Sequence, residues 1–113
     1  MKTIIAGSRD FNHLSSVAYC IKQSGFNITE VVSGGCKGVD LLGEEWAKKN
    51  KIPIKRFPAA WDEHGKAAGP IRNQQMAEYA DALIAIVAPN SKGTRDMLNK
   101  ANKHDLKIWA KFL

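Results

Sequence analysis

The sequence predicts an α/β fold in which helices cover both faces of a parallel β-sheet. Short apolar, β-branched segments alternate along the chain with segments whose apolar residues recur at helical spacing. The connections between these segments are short, which favours consecutive strand–helix–strand units. One segment, Ala82–Val87, is apolar at every position, as is typical of a strand that helices bury on both faces.

The first two predicted strands and the helix between them are bounded by clear local signals. Residues 2–6 are mostly apolar and end at Gly7. Residues 13–24 carry apolar side chains every three or four positions, which predicts a helix that ends near Gly25. Residues 28–33 are rich in β-branched side chains and form the second predicted strand.

A second helix is predicted over residues 39–50, and a third strand follows at residues 52–57. Pro53 lies early in that strand and indicates an edge position, because proline cannot donate a hydrogen bond to a neighbouring strand. Residues 58–69 are predicted to form a loop, and a third helix is expected to begin at Ile71.

The last third of the chain adds the buried strand, a helix over residues 94–103 and a strand over residues 106–110. Right-handed crossovers leave few ways to connect five parallel strands. We therefore expect one domain spanning residues 1–113, with a three-layer, Rossmann-like fold and a five-stranded parallel sheet in the order 3-2-1-4-5. The chain is too short for two ordinary domains.

The composition excludes several classes of protein. With 44% apolar and 25% charged residues, the chain is typical of a globular domain rather than a disordered tail, a fibre or a coiled coil. Its longest apolar run has seven residues, whereas a membrane-spanning helix needs roughly 20. No secretory signal is recognisable, so we expect a cytoplasmic protein with no membrane partner. Cys20 and Cys36 lack metal-type spacing and are expected to be free thiols.

The distribution of charge and glycine points to one edge of the predicted sheet. The net charge of +6 indicates either an anionic partner or a lysine-rich solvated surface. Ligands bind parallel α/β sheets outside the carboxyl ends of the strands. Most of the nine glycines and three of the four arginines fall in the segments that follow the first four strands. This asymmetry predicts a polar, glycine-lined site at that edge.

The segment after the second strand carries Gly34, Gly35 and Gly38 around Lys37, directly before a helix. Glycines let backbone N–H groups approach a phosphate, and a helix N-terminus favours an anion. The spacing matches neither the Gly-x-Gly-x-x-Gly nor the P-loop pattern, so a standard dinucleotide or NTPase site is not expected. A tight strand-to-helix turn would also explain these glycines.

The other segments at this edge offer further polar side chains. Ser8 and Arg9 follow the first strand as ligand candidates, whereas Asp10 could cap the next helix. Thr94 is expected to cap the fourth helix, and this position is compatible with donation to a phosphate. Trp61 either stacks on a base or packs as part of the core or of a lid.

Five motifs, spread over nearly the whole chain, together resemble the YspA-type branch of the SLOG superfamily. In chain order they are GSRDF at 7–11, SGGCKGVD at 33–40, KAAGPIRNQQM at 66–76, ADA at 80–82 and SKGTRD at 91–96. The resemblance implies a Rossmann-like fold and a nucleotide, ADP-ribose or other NAD-derived ligand. The expected ligand-binding residues are Gly7, Ser8, Arg9, Ser33, Gly34, Gly35, Lys37, Gly38, Asp40, Arg72, Asn73, Ser91, Gly93, Thr94 and Arg95.

The resemblance carries over only in part to the LOG-type phosphoribohydrolases of the superfamily, in which an arginine and a glutamate serve catalysis. Arg72 and Met76 match the Arg-x-x-x-Met motif of those enzymes, but Met97 stands where they have the glutamate. Hydrolysis would need another carboxylate to activate water or to stabilise an oxocarbenium-like centre. The catalytic candidates are therefore Arg72, Asp10, Asp40 and Asp96.

These observations favour a protein that binds a nucleotide-derived small molecule, as a sensor or to sequester it, with no required cofactor and no metal. Two alternatives stay open: a LOG-type N-glycosidic or phosphoribosyl hydrolase, and a DprA-like nucleic-acid-binding protein. The resemblance also implies a homo-oligomer, a dimer or larger. Trp46, Tyr79 and Trp109 are candidates for its interface, with core burial as the alternative.

Overall fold

A computed structural model describes residues 1–113 and contains five strands, five α-helices and one 3₁₀ turn. No helix is long and apolar enough to cross a membrane. In chain order the elements are β1 (Lys2–Gly7), α1 (Leu14–Ser24), β2 (Glu30–Ser33), α2 (Val39–Lys49), β3 (Ile54–Arg56), α3 (Trp61–His64), the 3₁₀ turn (Gly65–Ala67), α4 (Ala68–Tyr79), β4 (Ala82–Val87), α5 (Lys92–Lys103) and β5 (Lys107–Phe112).

The five strands form one parallel sheet in the order β3-β2-β1-β4-β5, which confirms the predicted fold class and strand order. β1 lies at the centre, and Thr3 of β1 pairs with Val31 of β2 on one side and Ala82 of β4 on the other. β3 is an edge strand, as Pro53 indicated. All six residues of β4 are buried, because helices cover both faces of the sheet.

Two apolar cores lie on opposite faces of the sheet. On one face, Met76 of α4 and Met97 of α5 pack against Leu83 of β4. On the other face, Val17 of α1 and Val39 of α2 belong to a second cluster. Successive residues of a strand point to opposite faces, so β1 and β4 supply both cores.

The two cores also receive the aromatic residues that were considered for an oligomer interface. Trp46 and Trp109 pack partly buried against the core on the α1–α2 side, and Tyr79 packs against the other core. The Tyr79 ring lies 5.4 Å from the ring of Phe57, centroid to centroid. Packing within one chain therefore accounts for all three side chains, and oligomerisation stays a prediction.

Two expectations about the segment before the third predicted helix were wrong. Residues 58–69 are not all loop, because they contain α3 and the 3₁₀ turn, and α4 begins at Ala68 rather than at Ile71. Gly69-Pro70 is typical of a turn, but proline is tolerated in the first turn of a helix, where its missing N–H has no partner to lose.

Two caps also differ from expectation. The residue that caps α5 is Ser91, so Thr94 lies inside the first turn of that helix. The residue that caps α1 is His13, so Asp10 lies three residues ahead of the cap. Neither cap side chain accepts a hydrogen bond from a backbone N–H of its own helix, which leaves N–H groups in the first turn of each helix available for other partners.

Candidate functional site

A cavity of about 760 Å³ opens at the carboxyl edge of the sheet, within the size range of small-molecule sites. The loops after β1 and β4, the first turn of α2 and the first half of α4 form its walls. Among the residues proposed from the sequence, those that line it are Gly7, Ser8, Arg9, Asp10, Asp40, Arg72, Asn73, Ser91, Gly93, Thr94 and Asp96. The fold thus brings eleven of them together from four separate stretches of the chain.

Six of the proposed ligand-binding residues lie outside the cavity wall: Ser33, Gly34, Gly35, Lys37, Gly38 and Arg95. Some backbone N–H groups of the β2–α2 loop have partners within the chain. The Gly35 N–H donates to the hydroxyl of Ser33 at 3.0 Å. The Val39 N–H donates to the carbonyl of Ser8 at 3.2 Å. These bonds brace the loop within the protein, and binding of a phosphate by the loop stays a prediction.

Two glycines of this loop have a packing role that depends on distant residues. A Cβ on Gly34 would lie 2.8 Å from the guanidinium carbon of Arg72, so a side chain there would displace the arginine. Gly38 has a φ of +79°, and a Cβ would lie 2.7 Å from the backbone carbon of Arg9. The two glycines let the β1–α1 loop and α4 close on the β2–α2 loop.

Arg72 and Asp40 form the floor of the cavity. Arg72 is only 8% exposed; its Nη1 donates to the carbonyl of Gly34 at 2.8 Å and its Nε donates to Oδ1 of Asn73 at 3.0 Å. Asp40 is 6% exposed. Burial raises the pKa of Asp40 to about 6, although N–H donors from Cys36 and Gly7 and the charge of Arg72 act in the opposite direction.

Asp96 reaches the cavity wall and is held there by two neighbours. Its Oδ2 accepts a hydrogen bond from Nδ2 of Asn73 at 3.0 Å, and its Oδ1 pairs with Nζ of Lys100 at 2.6 Å. Asn73 also donates to the carbonyl of Gly93 at 3.2 Å, so one amide ties α4 to α5. Met97, at the position of the LOG-type glutamate, is 1% exposed, belongs to the core and also lines the cavity.

The N-terminus of α5 presents unbonded donors to the cavity. The first helical backbone bond runs from the Arg95 N–H to the carbonyl of Ser91, so the N–H groups of Gly93 and Thr94 have no backbone acceptor. The hydroxyl of Ser91 donates instead to the hydroxyl of Thr94 at 2.6 Å. Gly93, Thr94 and the neighbouring Lys92 all line the cavity. Arg95 turns away and donates to the carbonyl of Pro89 at 3.3 Å.

Several lining residues were missed by sequence reasoning. Asn90 of the β4–α5 loop and Lys92 at the start of α5 lie beside predicted site residues. Lys66, Gly69 and Pro70 belong to a motif that the resemblance had already marked. Trp61 also lines the cavity and is 49% exposed. No three His, Cys, Asp or Glu side chains come together in a group that could hold a metal ion.

A polar network behind the cavity holds the β2–α2 loop in place. Glu44 of α2 is 2% exposed, and its Oε2 accepts a hydrogen bond from the hydroxyl of Ser33 at 2.7 Å. Its carboxylate also pairs with the guanidinium of Arg56 from β3. Burial alone would raise the pKa of Glu44, but the hydrogen bonds from Arg56 and Ser33 outweigh it and lower the pKa. The charged form of Glu44 is thus the one the network stabilises.

Residues 1–64, more than half of the chain, match the sequence model of the YspA, cpYpsA-related SLOG family, YAcAr. The chain belongs to this family. It is also 29% identical over 117 residues to the Gene 61 protein of Mycobacterium phage D29, and the match covers 95% of this chain and 93% of the phage protein. The identity to this relative extends beyond the part that the family model matches.

The fold of this SLOG protein is similar to that of the DNA processing protein A (DprA) of Streptococcus pneumoniae. The TM-score is 0.78 at 18% sequence identity over 96% of this chain. The SLOG chain spans about half (49%) of the length of that protein. At this level of identity the likeness shows a shared fold.

Proposed function

We propose that this SLOG protein binds a nucleotide-derived small molecule in the cavity and acts as a sensor of that molecule or sequesters it. The ligand class is a phosphorylated nucleoside or an ADP-ribose-like, NAD-derived molecule. One observation carries the proposal: the open N-terminus of α5 and the uncommitted cations Arg9 and Lys92 meet in the same cavity as the buried carboxyl of Asp40 and the buried guanidinium of Arg72.

The phosphate is assigned to the side of the cavity formed by the loops after β1 and β4. The free N–H groups of Gly93 and Thr94 and the dipole of α5 favour an anion there. Lys92 and Arg9 are exposed, line the cavity and make no hydrogen bond or ion pair within the chain. Their charges are therefore free to pair with a phosphate.

The floor of the cavity offers groups suited to a ribose. A buried carboxylate accepts hydrogen bonds from sugar hydroxyls, and Asp40 lies on the floor for that role. Arg72 already uses all three of its guanidinium nitrogens within the chain, with Nη2 donating to the sulfur of Cys36, so its contribution is a fixed positive charge rather than a flexible clamp. We assign the ribose to this floor and the phosphate to α5.

Hydrolysis of an N-glycosidic bond is the second function that a specific observation favours. With a pKa of about 6, Asp40 holds a proton over part of the physiological pH range and could serve as an acid. Asp96, in contrast, is committed to Lys100 and Asn73. Turnover by this SLOG protein would thus depend on Asp40.

Native mass spectrometry on gently purified protein is the first test, because it reports both a retained ligand and the oligomeric state. Titration calorimetry with ribose 5-phosphate, AMP and ADP-ribose follows. Arg9→Ala is expected to weaken binding of all three probes about tenfold, as is typical of one charge-assisted hydrogen bond. Arg95→Ala is the matched control, because Arg95 is also exposed but lies outside the cavity.

The outcomes separate the three functions. Equal effects of the Arg9→Ala and Arg95→Ala variants, or no binding of any probe, would contradict the proposal. Release of a free base over hours, abolished in Asp40→Asn, would identify a hydrolase. Binding of single-stranded DNA that falls steeply with salt, in the absence of nucleotide binding, would identify a nucleic-acid-binding protein of the kind suggested by the name of DprA.

A further inference from the structure

We infer that the indole of Trp61 stacks on a nucleobase of the bound ligand. The ligand of the cavity therefore carries a base, with purines preferred to pyrimidines, and is not a bare sugar phosphate. This inference rests on the proposed function and adds to it which part of the ligand the protein recognises for specificity. It starts from an aromatic side chain that the fold itself does not use.

Trp61 has no role in either core. It is the first residue of α3, a four-residue helix in which no residue is buried. The indole is 49% exposed and forms no ring pair with another aromatic side chain. The two other tryptophans, Trp46 and Trp109, both pack against a core. An indole that neither core uses is free to cover an aromatic ligand.

The surroundings of Trp61 leave the ring accessible from the cavity. Its edge lies over the first turn of α4, where a Cβ on Gly69 would be 3.5 Å from Cη2 of the indole. That distance is an ordinary van der Waals contact, so the helix supports the edge of the ring. Gly69 and Pro70 line the cavity beside Trp61 and carry no polar side chain. This part of the wall is thus apolar.

The polarity of the wall divides the cavity into two kinds of surface. The phosphate side carries N–H donors and the cations Arg9 and Lys92, as described above. The Trp61 side presents one aromatic face and small apolar residues, with Lys66 as its cation. A sugar phosphate would leave the aromatic face uncovered, whereas a nucleoside phosphate matches both surfaces. Because stacking grows with ring area, a purine covers the indole better than a pyrimidine.

The test compares AMP, CMP and ribose 5-phosphate on the full-length protein by calorimetry. Base stacking contributes about 1–3 kcal/mol per base. We therefore expect Trp61→Ala to raise the dissociation constant of AMP at least fivefold and that of ribose 5-phosphate less than twofold. Trp61→Phe should restore part of the AMP affinity. Phe112→Ala is the control, because Phe112 is an exposed aromatic residue (62%) outside the cavity.

A second measurement reports stacking directly. Binding of AMP should quench the tryptophan emission of the wild-type protein, and the quench should disappear in Trp61→Phe, where only Trp46 and Trp109 remain. Equal wild-type affinity for AMP and ribose 5-phosphate would overturn the inference and leave the proposed function in place. An equal loss of both affinities in Trp61→Ala would do the same. Failure of all three probes to bind would overturn both.

Discussion

Replacing Asp40 by asparagine should remove a large part of the pH dependence of folding. The carboxyl group lies on the floor of the cavity, 6% exposed, beside the guanidinium of Arg72. Burial raises its pKa from 3.8 to about 6. Because the folded-state pKa is higher than the unfolded one, the folded chain holds a proton that the unfolded chain has already lost between these two pH values.

The size of the effect follows from this shift. One pKa unit corresponds to about 1.4 kcal/mol, so a shift of two units corresponds to about 3 kcal/mol. The stabilising contribution is fully present below about pH 4, and it is lost as the pH rises through about 6. Between pH 4.5 and 7.5 the wild type should lose about 2 kcal/mol of unfolding free energy relative to Asp40→Asn.

Urea denaturation at pH 4.5, 5.5, 6.5 and 7.5, followed by circular dichroism, measures this difference. The amide of the variant changes local hydrogen bonding, but that offset is independent of pH, so only the slope against pH is informative. Titrating groups that do not interact with Asp40 are common to both proteins and cancel. Parallel stability curves for the two proteins would refute the assignment of a raised pKa to Asp40.

Two further substitutions test how the loops of the site are held together. Gly38→Ala should destabilise the protein by roughly 2–4 kcal/mol in urea unfolding, since the residue has a positive φ and its Cβ would meet the backbone of the β1–α1 loop. Gly25→Ala is the control, because Gly25 also has a positive φ but no atom near the position of an added Cβ. This variant should lose only about 1 kcal/mol of unfolding free energy. Equal losses of unfolding free energy in the two variants would contradict the packing argument. Ser33→Ala removes one hydrogen-bond donor from the buried Glu44 carboxylate. The variant should therefore lose about 1–2 kcal/mol of unfolding free energy in thermal unfolding. An unchanged melting temperature would show that this hydrogen bond does not stabilise the fold.

Much of the fold could be predicted from local patterns in the sequence. The continuous apolar run of β4 predicted burial on both faces, and helical spacing predicted α1 and α2 within a few residues of their observed bounds. Strand order followed from the handedness of the crossovers. These features depend on neighbours in the chain and on general rules, so no knowledge of distant contacts was needed.

The first residues of α4 and α5 were harder to predict from the sequence. The Gly69-Pro70 pair and Gly93 are typical of turns, yet both lie in the first turns of α4 and α5. In the first turn a helix has no backbone N–H bonds to lose, so proline and glycine are tolerated there at little cost. Packing of the rest of each helix against the sheet decides where it begins.

The sequence by itself determined that the polar, glycine-rich segments of this SLOG protein gather at one edge of a parallel sheet, because strand direction alone places them there. Only the tertiary structure decided what each residue does. Gly34 makes room for Arg72, which lies 38 residues further along the chain. Asp96 of α5 is held at the cavity wall by a hydrogen bond from Asn73 of α4. Contacts of this kind depend on how the helices pack, and spacing along the chain does not encode them.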